Sequence, residues 1–248
     1  LIEVLRFDLK MLTFIVLTKN TQFFVHCVDS FPPEERFQVD SMFRLVYKGY
    51  HPLEKTGLVN ALKCLKLIDR GAPDDVVRYP CRWNSVRCVD RVIREISWGH
   101  NRCNMGDEVQ KLRIHWLPST VTGFDLSWQI KRAMLDTRQL PRELVTIDVQ
   151  HNRFFGSLHL DVLPERLRRA DFRNNFFSGC VKLERTPVEL EALLVKGNAF
   201  SLIIVDNASI TQGDCFFTFG RKVTKDQPQI PLIEKNEGIP DSRIRMEQ

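Results

Sequence analysis

A recurrence every 23 residues constrains this chain more than any other feature. Leu117, Leu140, Leu163 and Thr186 are each followed by proline. Four further sets recur in the same phase: Val121, Leu144, Leu167 and Leu190; Phe124, Ile147, Ala170 and Leu193; Leu126, Val149, Phe172 and Val195; and Gln129, Asn152, Asn175 and Asn198. A fixed period of roughly 20 to 50 residues indicates stacked structural units. The chain is therefore predicted to fold as a solenoid.

Each unit has the form LxxLxLxxN, which Leu144, Ile147, Val149 and Asn152 illustrate. The central LxL core predicts a short strand whose alternate side chains point inward. The asparagine turns the chain and satisfies backbone groups that a tight coil leaves unpaired. About five repeats are present, because residues 93–101 fit the same template and are separated from the next unit by a longer spacer. We expect an α/β-solenoid with a concave parallel β-sheet.

The return segments are predicted to be mainly extended or irregular. Phe154, Phe177 and Phe200 follow the asparagines and should fill the interior. Residues 156–160 and 179–183 look extended, and each leads to a proline turn. Because one repeat cannot bury its own apolar face, the open ends need caps.

The ends of the chain suggest how the repeats are capped. An amphipathic helix is expected to carry Phe37, Met42, Phe43 and Val46, and a second helix Leu58, Leu62 and Leu65. The predicted organisation is an N-terminal segment (1–30), a helical N-terminal cap (31–89), the repeats (90–205), a C-terminal cap (206–220) and a flexible tail (221–248).

The four regular repeats resemble leucine-rich-repeat proteins of the flagellate protozoa, whose units end LxLxxN-x-F-x-G. The element Cys81-Arg-Trp83-Asn-Ser85-Val86-Arg-Cys88 is similar to the motif that closes the N-terminal cap of plant-type repeat proteins. The resemblance covers roughly residues 81 to 205 and implies a binding solenoid. In secreted relatives the cap cysteines are paired, which implies a Cys81–Cys88 disulfide in an oxidising compartment and two buried thiols in a reducing one.

Residues between the inward positions form columns on the concave face. One column is Ser97, Asp125, Asp148, Asp171 and Leu194, the next is Gly99, Ser127, Gln150, Arg173 and Lys196, and the outer one is His100, Trp128, His151, Asn174 and Gly197. An exposed tryptophan near arginines is typical of a binding hot spot. The predicted partner surface comprises Trp128, Asp148, His151, Arg168, Arg169, Asp171, Arg173 and Lys196.

Two of these assignments have simpler alternatives. The aspartates occupy a position where aspartate is common in the resembling family, and Trp128 is also suited to covering an irregular repeat junction. If Arg173 belongs to the binding surface, replacing it with alanine should spare folding and weaken binding.

Nothing in the sequence predicts a catalytic residue, a metal site, a cofactor or a small-molecule substrate. The seven cysteines form no paired CxxC motifs suited to zinc. His100 and His151 lack a carboxylate–histidine spacing that would suit a general base. The longest apolar run, residues 11–18, is too short for a transmembrane helix, so no membrane insertion is expected.

The sequence therefore favours a non-catalytic protein-binding module, a scaffold or a subunit of a larger intracellular assembly. The alternative is a secreted or surface recognition receptor. A weaker alternative, an accessory protein of a ribonucleoprotein, rests on the net charge of +5 and the arginines. An enzyme is the least favoured class, because the open face of a solenoid excludes water poorly.

Overall fold

The computed structural model describes residues 33–46, 55–100, 112–183, 185–205, 216–220, 232–235 and 244–247. The predicted N-terminal segment, the first part of the C-terminal cap and most of the predicted tail lie outside these residues. Side-chain statements below concern the span from residue 34 to residue 204.

The repeats stack through one sheet, as the LxL spacing predicts. Its strands, in spatial order, are β1 (Val86–Val89), β2 (Val92–Ser97), β3 (Gly123–Asp125), β4 (Thr146–Asp148), β6 (Arg169–Asp171), β8 (Ala192–Leu194), β10 (Phe216–Gly220) and β12 (Ile244–Glu247). All neighbours from β2 onward are parallel, and β1 pairs antiparallel with β2. The predicted fold class, a leucine-rich-repeat-type solenoid with a concave parallel sheet, is confirmed.

A ladder of asparagines joins successive repeats. The side-chain amide of Asn175 donates to the carbonyl oxygens of Val149, Phe172 and Arg173, and its Oδ1 accepts from Phe154 N at 3.0 Å. Asn152 and Asn198 repeat this pattern one unit away on either side. Each asparagine thereby pairs buried backbone groups that would otherwise be costly to leave unsatisfied.

The return side carries a second, four-stranded sheet. Its order is β11 (Leu232–Lys235), β9 (Ala199–Val205), β7 (Phe176–Leu183) and β5 (Phe155–Gly156). Short 3₁₀ turns at Ile114–Trp116, Thr137–Gln139 and Leu160–Val162 precede the Leu-Pro pairs. The carbonyl oxygen of each repeat proline then accepts from the N–H three residues later, as Pro141 does from Leu144 at 3.2 Å. The return segments are therefore extended where they pair and turn-like where proline stands.

The space between the two sides is filled by stacked apolar columns. The predicted phenylalanine column is buried: Phe154 and Phe177 are inaccessible to solvent, and Phe200 is 5% exposed. Phe177 also meets Phe172 edge to face, with 5.8 Å between the ring centroids. Every repeat thus contributes to a core that neighbouring repeats complete.

Two helices shield the first edge of the solenoid. They are α1 (Pro33–Val46), whose first turn holds Glu34 and Glu35, and α2 (Lys55–Cys64). Acidic residues stabilise a helix N-terminus through its dipole. Met42, Phe43 and Val46 of α1 are buried as predicted, but Phe37 is 60% exposed, so its assignment to the apolar face is wrong. Phe37 lies in the first half of α1, before the run of buried apolar residues that begins at Met42.

The cap closes against the repeats through the segment after α2. Phe43 stacks on Trp83 with 6.0 Å between their ring centroids. The buried amide of Gln38 accepts a hydrogen bond from Ile93 N at 2.7 Å, which fixes α1 to β2. Cys81 and Cys88 are joined by a disulfide, which ties the 3₁₀ turn Pro80–Arg82 to β1.

The C-terminal region differs from the expected flexible tail in two places. Strand β11 pairs in parallel with β9, and strand β12 pairs in parallel with β10. The expectation is therefore wrong for Leu232–Lys235 and Ile244–Glu247. The last strand of a solenoid presents unpaired N–H and C=O groups, and an extended segment can satisfy them whatever the composition around it.

Candidate functional site

The outer column of the concave face has an unusual backbone conformation that recurs in every repeat. His100, Trp128, His151, Asn174 and Gly197 have φ values of 49°, 60°, 53°, 53° and 74°. Each stands immediately before the ladder position, where the chain must turn sharply out of the strand. The N–H groups of Trp128 and His151 donate to carbonyl oxygens of the following repeat at 3.0 Å. The column is therefore held at a fixed orientation by backbone bonds.

This conformation is easy for some residues and strained for others. Glycine adopts positive φ freely and asparagine tolerates it, whereas a bulky side chain there is a genuine outlier. Trp128 is the bulkiest member of the column, and it remains 46% exposed. A strained backbone that holds a large apolar side chain toward solvent points to a functional position.

Trp128 is the centre of a row of aromatic rings from three repeats, and it stacks on one of them, His151. Its ring lies 3.5 Å from the His151 ring at an angle of 14°, and 6.4 Å from the His100 ring. On the far side of His151, Asn174 Nδ2 lies 3.0 Å from His151 Nε2. The stack fixes the indole in one orientation without burying its outer face.

The aspartate column serves the backbone of the protein itself. The Oδ1 atoms of Asp125, Asp148 and Asp171 each accept a hydrogen bond from the N–H two residues later, at 2.9, 3.1 and 3.2 Å. Asp171 is 1% exposed, so its predicted role as a partner-binding residue is wrong. Asp148 is half-buried. These carboxylates stabilise the turns that end the strands.

Arg173 completes a polar network beneath the outer column. Its guanidinium lies 2.6 Å from Asp171 Oδ2 and also donates to Gln150 Oε1 at 3.2 Å. The Gln150 amide donates in turn to Asp148 Oδ2 at 3.0 Å. Because Arg173 compensates a buried carboxylate, we now expect its replacement by alanine to destabilise the fold, which differs from the expectation from the sequence.

The other basic residues of the predicted surface divide into two groups. Arg168 and Arg169 lie at the start of β6, and Arg173 follows its end. At about 3.3 Å per residue, Arg168 is more than roughly 10 Å along the strand from Arg173. Arg168 forms ion pairs with Glu189 at 3.1 Å and Glu191 at 3.8 Å, whereas Arg169 is exposed. Lys196 is half-buried, one repeat beyond Arg173.

Burial and charge alter the titration of two groups at this site. Burial lowers the pKa of His151 below its usual 6.5, and the nearby Arg173 lowers it further. The imidazole is consequently neutral at pH 7, and a neutral Nε2 can accept from Asn174. Burial raises the pKa of Asp148, which its hydrogen bonds with Gln150 offset in part.

The structure thus joins Trp128, His151 and Arg173 into one surface and separates Arg168 and Asp171 from it. Sequence reasoning placed His100 and Asn174 in the same column without assigning them a role. It also placed Gln150 in the middle column without a role, although Gln150 donates to Asp148 and accepts from Arg173. The outer column is distinguished by its positive φ, a backbone property that the structure shows and the sequence does not.

The part of the chain that the structure describes also bears on metal binding and membrane insertion. Within it, no three His, Cys, Asp or Glu side chains are grouped so as to hold a metal ion. Neither helix among these residues has the length and apolarity required to cross a bilayer.

The fold and the site define a leucine-rich-repeat-type solenoid with an exposed aromatic stack on its concave face. No protein-family model matches the chain, and no curated protein matches it. Among solved structures, the chain is similar to one described as the crystal structure of a pollen receptor kinase 3. That match has 16% sequence identity and a TM-score of 0.36, and it covers 67% of this chain and 83% of the other. The fold assignment rests on the strand pairing and the asparagine ladder.

Proposed function

We propose that this protein is a non-catalytic protein-binding module that holds its partner on the concave face, as a scaffold or as a subunit of a larger assembly. The observation that carries the proposal is Trp128, which is 46% exposed yet fixed by stacking on His151 at 3.5 Å. Tryptophan is enriched among the few residues that dominate binding energy, and a side chain fixed in advance loses little entropy on binding.

The surface around Trp128 favours a partner with an apolar anchor and hydrogen-bond acceptors. The aspartates already accept bonds from their own backbone, so they offer little to a basic partner. Asn174 reaches solvent beside the stack and carries amide donors. The contact is expected to centre on Trp128, with polar contacts at its rim.

Binding is favoured over catalysis by the state of the best candidate base. The Asn174 amide is hydrogen-bonded to His151 Nε2. The Trp128 ring covers one face of the His151 imidazole. A general base must instead be within reach of a substrate proton. The concave face is also open, and an open surface excludes water poorly.

The compartment depends on the cap cysteines. The Cys81–Cys88 disulfide supports the secreted or surface alternative over the intracellular one, because disulfides persist in oxidising compartments. Non-reducing peptide mapping of the protein from its native source tests this directly. A joined peptide pair supports the extracytoplasmic recognition module, and free thiols at both positions support the intracellular assembly.

The binding proposal is tested by affinity purification of the full chain and two variants from the native source. Trp128→Ala removes the centre of the stack, and Phe176→Ala removes an aromatic ring of similar exposure, 48%, on the return side. A partner recovered with the wild type and with Phe176→Ala should be lost with Trp128→Ala, because a hot-spot truncation costs about 2 kcal/mol or more, roughly thirtyfold in affinity.

Equal recovery with all three proteins would contradict the proposal. Thermal melts of both variants establish that they are folded. If the partner is lost only with Phe176→Ala, the binding site lies on the return side instead of the concave face.

A further inference from the structure

The N-terminal cap contains a cavity of about 320 Å³ that lies apart from the concave site. Its walls come from three parts of the chain: the first half of α1, residues 78–82 and the end of the β1–β2 hairpin. At about 30 Å³ for a water-sized group, this volume accommodates roughly ten non-hydrogen atoms. Small-molecule sites are typically concave, mostly apolar and equipped with a few polar groups.

The floor of the cavity is apolar. Val39, Pro80 and Ile93 line it, and Pro80 and Ile93 are buried. The Tyr79 ring forms part of the wall, and the Arg82 guanidinium lies 4.9 Å from its centroid. An apolar group entering the cavity would therefore contact the Tyr79 side chain and these apolar residues.

The polar lining is predominantly positive. Three arginines, Arg78, Arg82 and Arg91, line the cavity with one carboxylate, Glu35, an excess of two positive charges. Glu35 is 3.6 Å from Arg91, whose side chain is still 81% exposed. The guanidinium of Arg91 can therefore reach a ligand at the mouth while it remains near Glu35.

Gln38 supplies a donor fixed in direction. The residue is 6% exposed, and its Oε1 accepts from Ile93 N at 2.7 Å. This bond places the amide oxygen toward the backbone and leaves the Nε2 hydrogens as donors, with no acceptor among the residues that the structure describes. Gln38 lines the cavity, so these hydrogens can donate to a ligand bound there.

We propose that this cavity is a binding site for a small aromatic anion, an aryl phosphate or a similar group, with the ring on the apolar floor and the anion among Gln38, Arg82 and Arg91. The site is independent of the concave surface and of the function proposed for it. The shared chemistry is that of a free aryl phosphate and of a phosphorylated tyrosine side chain.

The first test is calorimetric titration of the full chain, in non-reducing buffer, with phenyl phosphate, inorganic phosphate and phenol. Phenyl phosphate should saturate a single site and bind at least tenfold more tightly than either fragment. The proposal is overturned if phenyl phosphate does not saturate, or if inorganic phosphate binds as tightly. A phosphotyrosine peptide then distinguishes the sources: its binding indicates a modified partner protein, and its exclusion indicates a free small molecule.

The second test uses variants that separate the site from general charge. Gln38→Glu keeps the acceptor for Ile93 N but places a carboxylate where the donor stood, so phenyl phosphate affinity should fall more than tenfold. Arg91→Ala should weaken binding by roughly tenfold, because one charge-assisted hydrogen bond is lost. Arg153→Ala, an exposed arginine of the repeats, is the matched control and should bind like the wild type.

Unchanged affinity in folded Gln38→Glu overturns the proposal, and so does an equal loss in Arg153→Ala. If Gln38→Glu fails to fold in thermal melts, Arg82→Ala and Arg91→Ala decide. Wild-type affinity in both of these variants then excludes the site.

Discussion

The regular repeats, residues 142–205, and the junction before them, residues 93–141, follow one template but use their side chains differently. In the regular part, the ladder and outer positions hold asparagine, histidine or glycine, which fit the turn. In the junction, Gln129 replaces the ladder asparagine and donates to Trp98 O at 2.8 Å, and Trp128 occupies the turn position. We expect the regular repeats, where the pattern is strict, to carry most of the stability, whereas the junction carries the strained and exposed Trp128 and Ile130.

Residues with positive φ also differ between the junction and the regular repeats. Ile130 has a φ of 54° and is 65% exposed, whereas its counterparts Arg153 and Phe176 keep negative φ. Trp128 and Ile130 are therefore two strained, exposed apolar residues that lie two positions apart within the junction. Among the described non-glycine residues of the regular repeats, positive φ occurs only at His151 and Asn174 of the outer column, which tolerate it better.

The largest expected effect tests the claim that the regular repeats carry the stability. Phe177→Ala should lower the free energy of unfolding by about 3–5 kcal/mol, because it leaves a cavity between stacked repeats. Urea unfolding measures this loss. Phe176→Ala, the adjacent and 48% exposed ring, is the control and should cost much less. Similar losses at both positions would mean that the assignment of inside and outside is wrong.

The asparagine ladder is expected to rank second. Asn175→Ala should cost roughly 2–4 kcal/mol, because it strands buried partners such as Phe154 N and Val149 O. Asn174→Gly is the matched control, since glycine keeps the positive φ of that position. Chemical denaturation should show little change for the control, and a loss as large as that of Asn175→Ala would refute the ladder's role.

Arg173 tests whether the concave face is committed to folding or is free for binding. Arg173→Ala should cost about 1–3 kcal/mol, because Asp171 is left buried without its guanidinium. The double variant Asp171→Asn/Arg173→Ala removes the charge as well and should recover part of the loss in thermal melts. If the single variant unfolds at the wild-type temperature, the pair is dispensable for folding and the role of Arg173 on this surface is in binding alone.

A substitution at Ile130 is expected to raise the free energy of unfolding, whereas the preceding substitutions lower it. Ile130→Asn should stabilise the protein by about 0.5–1 kcal/mol, because asparagine tolerates the left-handed conformation and little apolar burial is lost. Arg153→Asn, at the equivalent position with negative φ, should bring no gain. Denaturant midpoints compare the two variants, and an equal gain in both would remove strain as the explanation.

The smallest expected effect is electrostatic. The pKa of His151 should lie below 6.5 in an NMR titration, because burial and Arg173 disfavour the imidazolium. Since the unfolded chain takes up the proton at a higher pH, the contribution of His151 to stability is present above pH 6.5 and decreases as the pH falls below it. Arg173→Ala should raise the midpoint. A midpoint at or above 6.5 in the wild type would contradict the burial of the stack.

The amino-acid sequence alone determined the solenoid, the inward columns and the ladder. These features follow from the 23-residue repeat and from the two-residue alternation of side chains along a strand. Both patterns can be recognised in the sequence without knowledge of the tertiary contacts. Phe154, Phe177 and the asparagines were therefore assigned correctly. The outer column was also recognised as one set, because the same offset recurs in every repeat.

Only the tertiary structure decided which polar groups remain available to a partner. Asp171 and Arg173 look like neighbouring surface charges in the sequence, and they pair because adjacent repeats bury the aspartate. The stack of Trp128 on His151 and the cap cavity likewise join residues that are far apart along the chain. Periodicity specifies the face on which a side chain lies, but its exposure and partners depend on elements that the period does not describe.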